Sequence, residues 1–216
     1  MEWCQVRTNP ERRQALVDAA IEVLARDGAR GLTFRAVDKE AAVPAGTASN
    51  YFANRDDLLT QAGRRFYERL QPSEATVAKL TEGPKTRANI IELMRETVGR
   101  IEAFRTGYLA LLELRLEATR RPELRAVLTA RVREDIEYNV RNHLEAGLPG
   151  DEKSVLLLYL ALNWLIVDRL TLPEVFTEEQ SQELIETAVE RVIGTRTEPD
   201  PPHLPRVVVT RSTAVR

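Results

Sequence analysis

The sequence predicts an all-α protein of about nine helices, arranged as a small N-terminal three-helix unit followed by a larger helical region. Three observations carry that expectation. Apolar residues recur at three- and four-residue steps along most of the chain. No stretch sustains the alternation of a strand. The 216 residues exceed what one small helical unit needs, so a second region with its own core must follow.

The elements follow in order. Asn9 can cap a first helix that has Pro10 at its first position and Glu11 near the positive end of its dipole. Leu16, Ala19, Ala20, Val23 and Leu24 form its apolar stripe, and Gly28 ends it. Thr33 caps a second helix from Phe34 to about Ala41, because its hydroxyl can accept from the unpaired amides of the first turn. Ala42 to Pro44 breaks that helix, since proline disfavours helical geometry at Val43. A third helix is expected from about Pro44 to Phe52, and Leu16, Ala20, Leu24, Phe34, Val37, Val43, Ala48 and Phe52 are expected to fill the small core. Asn54 caps the next helix, with Asp56 and Asp57 in its first turn. Further helices are expected at about 55–79, 84–104, 107–119, 122–146, 151–171 and 177–194, separated by glycine- and proline-bearing breaks. This gives three segments: 1–54, 55–194, and a tail from 195 to 216 whose Pro199, Pro201, Pro202 and Pro205 exclude helix and point to poor order.

The third helix, PAGTASNYF, carries no formal charge and offers Gly46, Thr47, Ser49, Asn50 and Tyr51. Small hydroxyl and amide side chains of this kind suit close approach to base edges in a major groove. A helix, a tight turn and a second short helix also occur in proteins that touch no DNA, so the segment by itself leaves a plain surface helix open.

Composition does not advertise nucleic-acid binding: the formal net charge is −2. From Met1 to Arg55 there are eight basic and seven acidic residues, so only a local face can be positive. Affinity for DNA should then lean on a dimer doubling its phosphate contacts and should fall steeply with salt. Catalysis finds little support. One cysteine, Cys4, and two histidines, His143 and His203, make no clustered zinc site of the usual kind, and no glycine-rich phosphate loop or Gly-x-Ser-x-Gly turn is present. His143 is expected at a surface or a helix end. The chain is therefore expected to be no enzyme and to carry no cofactor and no metal.

The segment from about Arg12 to Leu59 resembles the DNA-binding domain of TetR/AcrR-type bacterial transcriptional regulators. The matching residues are Leu16-x-x-Ala19-Ala20 in a helix ending at Gly28, Gly31-Leu32-Thr33, Ala41-Ala42-Val43, Gly46-Thr47, the pair Tyr51-Phe52, and Asn54-Arg55-Asp56-Asp57-Leu58-Leu59. The chain departs from the family pattern at Ala42, where glycine is usual, and at Ser49, where an aromatic is frequent. A left-handed angle at Ala42 would cost roughly 1–2 kcal/mol. The resemblance implies that Thr33, Arg35, Tyr51 and Arg55 face phosphates, while Gly46, Thr47, Ser49 and Asn50 face the groove floor, with Asn50 able to pair with adenine. It also implies a ligand-responsive regulator, a repressor released from a palindromic double-stranded operator by a small-molecule effector. The alternative is a helical ligand-binding or interaction protein with weak or no DNA binding.

Ser154 to Val167, SVLLLYLALNWLIV, is apolar nearly all round and calls for burial on more than one side, yet it is short for a membrane span. The last helix opens with a Thr177-x-x-Gln180 capping box and carries Leu184, Ile185, Ala188, Val189, Val192 and Ile193 on one stripe. Packed against a symmetry copy, these two helices would make a four-helix homodimer interface. By resemblance, the middle helices enclose a largely apolar effector site, for which Phe66, Met94, Ile101, Tyr108, Leu112, Tyr138, Asn163 and Trp164 are the candidates. Asn163 stands out because a buried amide needs partners, in a ligand or across the dimer. The N-terminus, MEWCQVRTNPERR, has no apolar signal core, so the expectation is a cytoplasmic protein with no membrane partner.

Overall fold

In the computed structural model the described residues are 9–194; the expected tail and Cys4 lie outside them. Ten helices and no strand occur among these residues. The N-terminal unit comprises α1 (Pro10–Gly31), α2 (Phe34–Glu40) and α3 (Thr47–Tyr51). The remainder comprises α4 (Arg55–Arg69), α5 (Glu74–Glu82), α6 (Arg87–Ala103), α7 (Arg105–Ala118), α8 (Pro122–Glu145), α9 (Glu152–Thr171) and α10 (Glu178–Val192).

The caps read from sequence are in place. Side chains of Asn9, Thr33, Asn54 and Thr177 each accept a first-turn amide, and Thr177 with Gln180 forms the reciprocal box. Gly28 breaks α1 with φ 67° and ψ −178°, a conformation glycine adopts at little cost. Leu16, Ala20, Leu24, Val37, Ala48 and Phe52 are buried together, while Phe34 and Val43 are partly buried at the edge of that core.

Two boundaries differ from expectation. The continuous helix expected over 55–79 is two helices, because Pro72 disfavours helical geometry at Gln71 and Ser73 then caps α5 through the amide of Thr76. The third helix begins at Thr47 instead of Pro44, and Pro44 contributes only its carbonyl to the turn, accepting from the Thr47 amide at 3.1 Å.

The N-terminal unit sits on the rest through α1, which packs on α7 and α4, while α4 packs on α7 and α8. Specific bonds tie this joint. The Ala29 amide donates to Glu113 Oε2 at 3.0 Å, and Thr106 donates to Glu22 at 3.0 Å. Arg121 pairs with Asp56 at the start of α4 and with Glu117 at 2.8 Å, an arrangement that holds the Glu117 carboxyl below its ordinary range. On the far side, α9 packs against α6, α8 and α10.

At 20 residues, α9 is long and apolar enough to cross a bilayer by length and composition, longer than the uncharged run alone suggests. It is not enclosed on all sides either. Leu158, Leu165, Ile166 and Leu170 are buried, but Leu157, Leu160 and Trp164 are 55%, 63% and 68% exposed. These three lie one and two turns apart on one face. Leu184 of α10 is also exposed, while Ile185, Val189 and Ile193 are buried in the core.

Candidate nucleic-acid interface and effector cavity

The five-residue helix α3 is too short to hold itself, because almost all its amides fall in the first turn. Its N-cap is Gly46, with φ 89° and no side chain to cap with. The missing acceptor comes from α2. Asp38, only 2% exposed, takes the Gly46 amide on Oδ2 and the Ala48 amide on Oδ1, both at 2.7 Å. One buried carboxylate thus caps α3 twice and fixes its angle to α2. The sequence reading missed this residue. The available signal was a short neutral helix opening on glycine, which must borrow its cap from elsewhere.

Ala42 in the turn has φ 50°, the left-handed angle that its comparison with glycine anticipates. Its side chain is exposed, so removing the methyl costs no packing. Ala42→Gly is therefore expected to raise stability by about 0.5–1 kcal/mol, the steric relief being partly offset by glycine's larger unfolded-state entropy. The urea midpoint of unfolding checks this; an unchanged or lower midpoint would contradict it.

The face of α3 away from the core carries Gly46, Ser49 and Asn50, all exposed, and half-exposed Thr47. Thr47 Oγ1 donates to Pro44 O at 2.6 Å and Ser49 Oγ donates to Gly46 O at 2.8 Å. Their donors are thereby used, and their oxygens remain acceptors toward solvent. The Asn50 amide makes no hydrogen bond among the described residues and keeps both donor and acceptor for a partner. Thr33 caps α2 at 3.1 Å through the Ala36 amide and is exposed, as is Arg35 beside it.

Two expected phosphate contacts are placed differently. Tyr51 is only 5% exposed and packs with Ala48 on the core face of α3, one turn apart, so its ring fills the domain interior. Arg55 is half-buried and turned inward: its Nε donates to Leu32 O at 3.1 Å, and a second nitrogen donates to Ala29 O. It thereby satisfies carbonyls left over where α1 breaks.

A cavity of about 520 Å³ lies between α4, α5, α6, α7, α8 and α9. Phe66, Met94, Ile101, Tyr108, Tyr138 and Asn163 line it, as expected. Leu112 is half-buried outside the lining, and Trp164 points from the outer face of α9. Phe66 and Tyr67, nearly perpendicular with ring centroids 5.0 Å apart, build an aromatic wall, and Phe104, outside the lining, stacks on Phe66 at 5.8 Å. The Asn163 amide is satisfied inside the monomer, accepting from Tyr108 at 3.1 Å and donating to Tyr159 O at 2.8 Å, so it needs neither ligand nor dimer partner. His143 sits in the last turn of α8, buried, with Nε2 3.0 Å from Pro149 O.

Sequence reasoning missed the polar side of this cavity: Arg100, Asp135, Tyr159 and Tyr67. Burial pushes Asp135 above its ordinary carboxyl value, with hydrogen bonds from Tyr159 and Asn139 and the nearby charge of Arg100 acting against that rise. Burial pushes the Tyr67 phenol up to about 12 and raises Tyr159 further, so both are protonated donors at neutral pH. Spacing does carry a signal: Arg100 follows Met94 and Thr97 at three-residue steps, and Tyr159 precedes Asn163 by four.

Comparison with known proteins agrees with this geometry. The family model described as bacterial regulatory proteins, tetR family, matches residues 16–62, and the model for a tetracyclin repressor-like C-terminal domain matches residues 85–195. The chain is 28% identical over 148 residues to the HTH-type transcriptional regulator BetI of Rhizobium meliloti, covering 68% of this chain and 71% of that protein. It is 27% identical over 146 residues to the HTH-type nicotine-responsive transcriptional repressor HdnoR of Paenarthrobacter nicotinovorans, covering 67% and 73%. Among solved structures, the multidrug binding protein EbrR complexed with ethidium superposes with a TM-score of 0.61 at 31% identity, covering 83% of this chain and 99% of that one. With a capped recognition helix at one end and a cavity among the helices at the other, the chain belongs to the tetR family of bacterial regulatory proteins and is a ligand-responsive, DNA-binding transcriptional regulator.

Proposed function

We propose that the chain represses transcription as a homodimer that holds a palindromic operator through two copies of α3 and lets go when a small molecule fills the cavity. Residues 1–54 form the reading head, and residues 55–194 sense the effector and pair the subunits. The observation that carries this reading is the Asp38-capped helix α3, which turns Gly46, Thr47, Ser49 and Asn50 outward on a rigid mount. Thr33 and Arg35, exposed at the start of α2, supply phosphate contacts beside it.

Pairing rests on the exposed apolar face of α9 with Leu184 of α10. Three large apolar side chains one and two turns apart are costly to leave in water and fit a copy of themselves across a twofold axis. The same face accounts for the apolar surplus of α9: it serves a second subunit, and the protein acts in the cytoplasm, where its operator is.

Communication runs through α4. Its first residues bind the N-terminal unit through Arg55 and reach α8 through the Asp56–Arg121 pair, while Phe66 in its body lines the cavity. An effector that prefers a tilted α4 weakens operator binding by the factor with which the operator weakens effector binding. The mechanical element ends at Arg69, and the bend at Pro72 adds Gln71, Pro72 and Thr76 to the cavity wall.

Asn50→Ala tests the reading helix directly. Titrated against a panel of operator variants, it is expected to lose about 1–3 kcal/mol of discrimination at one base position. Uniform weakening across the panel would assign Asn50 to the phosphates and remove it from base reading.

A further inference from the structure

The cavity wall carries a charged group whose buried Nε–H has no hydrogen-bond partner among the described residues. Arg100 is half-buried on α6, and its Nε–H is the only buried side-chain donor or acceptor without a hydrogen-bond partner among the described residues. A guanidinium stays protonated even when burial lowers its pKa, as it does here, so it cannot escape the cost by losing its charge. Asp135 and Glu96 lie close enough to favour the charge of Arg100, yet no carboxylate hydrogen-bonds it among the described residues. Glu96 is paired with Lys79 of α5, Glu134 with Arg131 at 2.7 Å, and Asp135 accepts from Asn139 at 3.3 Å. Arg100 therefore lines the space without an ion-pair partner in hydrogen-bond contact, and its planar guanidinium has the geometry to match an oxyanion. Elsewhere the wall has a large apolar and aromatic share, with Phe66, Met94 and Leu158 on different helices.

We propose that the effector is an organic acid: a flat, largely apolar molecule whose single carboxylate or other oxyanion seats on Arg100. This deepens the reading of the cavity as the effector site and rests on it. A cationic aromatic ligand is the competing class, since Asp135 and several phenols also line the space. Asp135 is the weaker anchor for it, because that carboxyl already has hydrogen-bond donors and burial disfavours its charged form. Arg100, by contrast, stays charged although burial disfavours it, and its Nε–H has no hydrogen-bond partner.

A pair of fluorescent probes that share a ring system and differ in charge separates these outcomes: anilinonaphthalene sulfonate, which is anionic, and phenylnaphthylamine, which lacks the sulfonate. Both are titrated into the full chain, into Arg100→Met, which keeps the side-chain bulk, into Arg100→Lys, and into Met94→Trp, which fills the cavity. The sulfonate is expected to bind about tenfold more tightly than the neutral probe. Arg100→Met should erase that advantage while leaving the neutral probe bound, which also shows that the variant is folded, and Arg100→Lys should retain part of it. Equal affinities of the two probes in the unmodified chain, an advantage that survives Arg100→Met, or binding of ethidium in preference to the sulfonate would overturn the acid preference alone. Failure of both probes to bind, or binding that Met94→Trp does not reduce, would overturn the cavity reading itself.

Discussion

Asp38→Ala is expected to lower stability by about 3 kcal/mol and to abolish operator binding, the largest loss of any single substitution in the N-terminal unit. Two charge-assisted hydrogen bonds disappear at once, and the amides of Gly46 and Ala48 are left without acceptors, Ala48 in the buried interior. Nothing local replaces them, since Gly46 has no side chain and α3 is only five residues long. Asp38→Asn keeps the shape and one acceptor oxygen but turns an NH2 group toward an N–H, so it should fall between the native chain and the alanine variant. Urea unfolding reads the first effect and operator titration the second. A stable Asp38→Ala protein that still binds operator would show that α3 is held by its apolar contacts alone.

The second large effect concerns assembly. Leu160→Glu combined with Trp164→Glu should leave each subunit folded, because both side chains point away from the monomer core, yet should convert the dimer to a monomer in sedimentation experiments. Carboxylates brought face to face across a twofold axis repel and lose their hydration together. Operator affinity should then fall on the order of a hundredfold, since two linked half-site contacts become one. A double variant that stays dimeric would move the interface away from this face of α9.

How far the sequence could carry the argument follows from the range of the interactions involved. Caps are local: Asn9, Thr33, Asn54 and the Thr177 box each act within three residues, and all were legible. The cost at Ala42 was legible too, because a turn between helices restricts its backbone whatever surrounds it. Asp38 was not, since its amides lie eight and ten residues away and only the tertiary turn brings them together. The inward placement of Tyr51 and Arg55 was not legible for a related reason: aromatic and basic residues near such a helix serve as contacts or as structure, and burial and the carbonyls left where α1 breaks are set by the tertiary fold. In the cavity, the resemblance implied a largely apolar site and so led to six lining residues, but it pointed to no charged one. Arg100 and Asp135 were therefore passed over, and Trp164, apolar and central in its helix, was placed on the wrong side of α9. The break at Pro72 was the plainest oversight, since a proline within a helical pattern restricts the residue before it regardless of context.

The central claim is that two copies of α3, held by Asp38 and paired through α9 and α10, read a duplex together. Selection of bound fragments from random double-stranded DNA by the full chain, at low ionic strength, tests it most directly. The expected result is an enriched inverted repeat whose half-site centres lie one helical turn, about 34–36 Å, or a multiple of it apart. Enrichment of an asymmetric site without a repeat, or no enrichment at all, would contradict the claim.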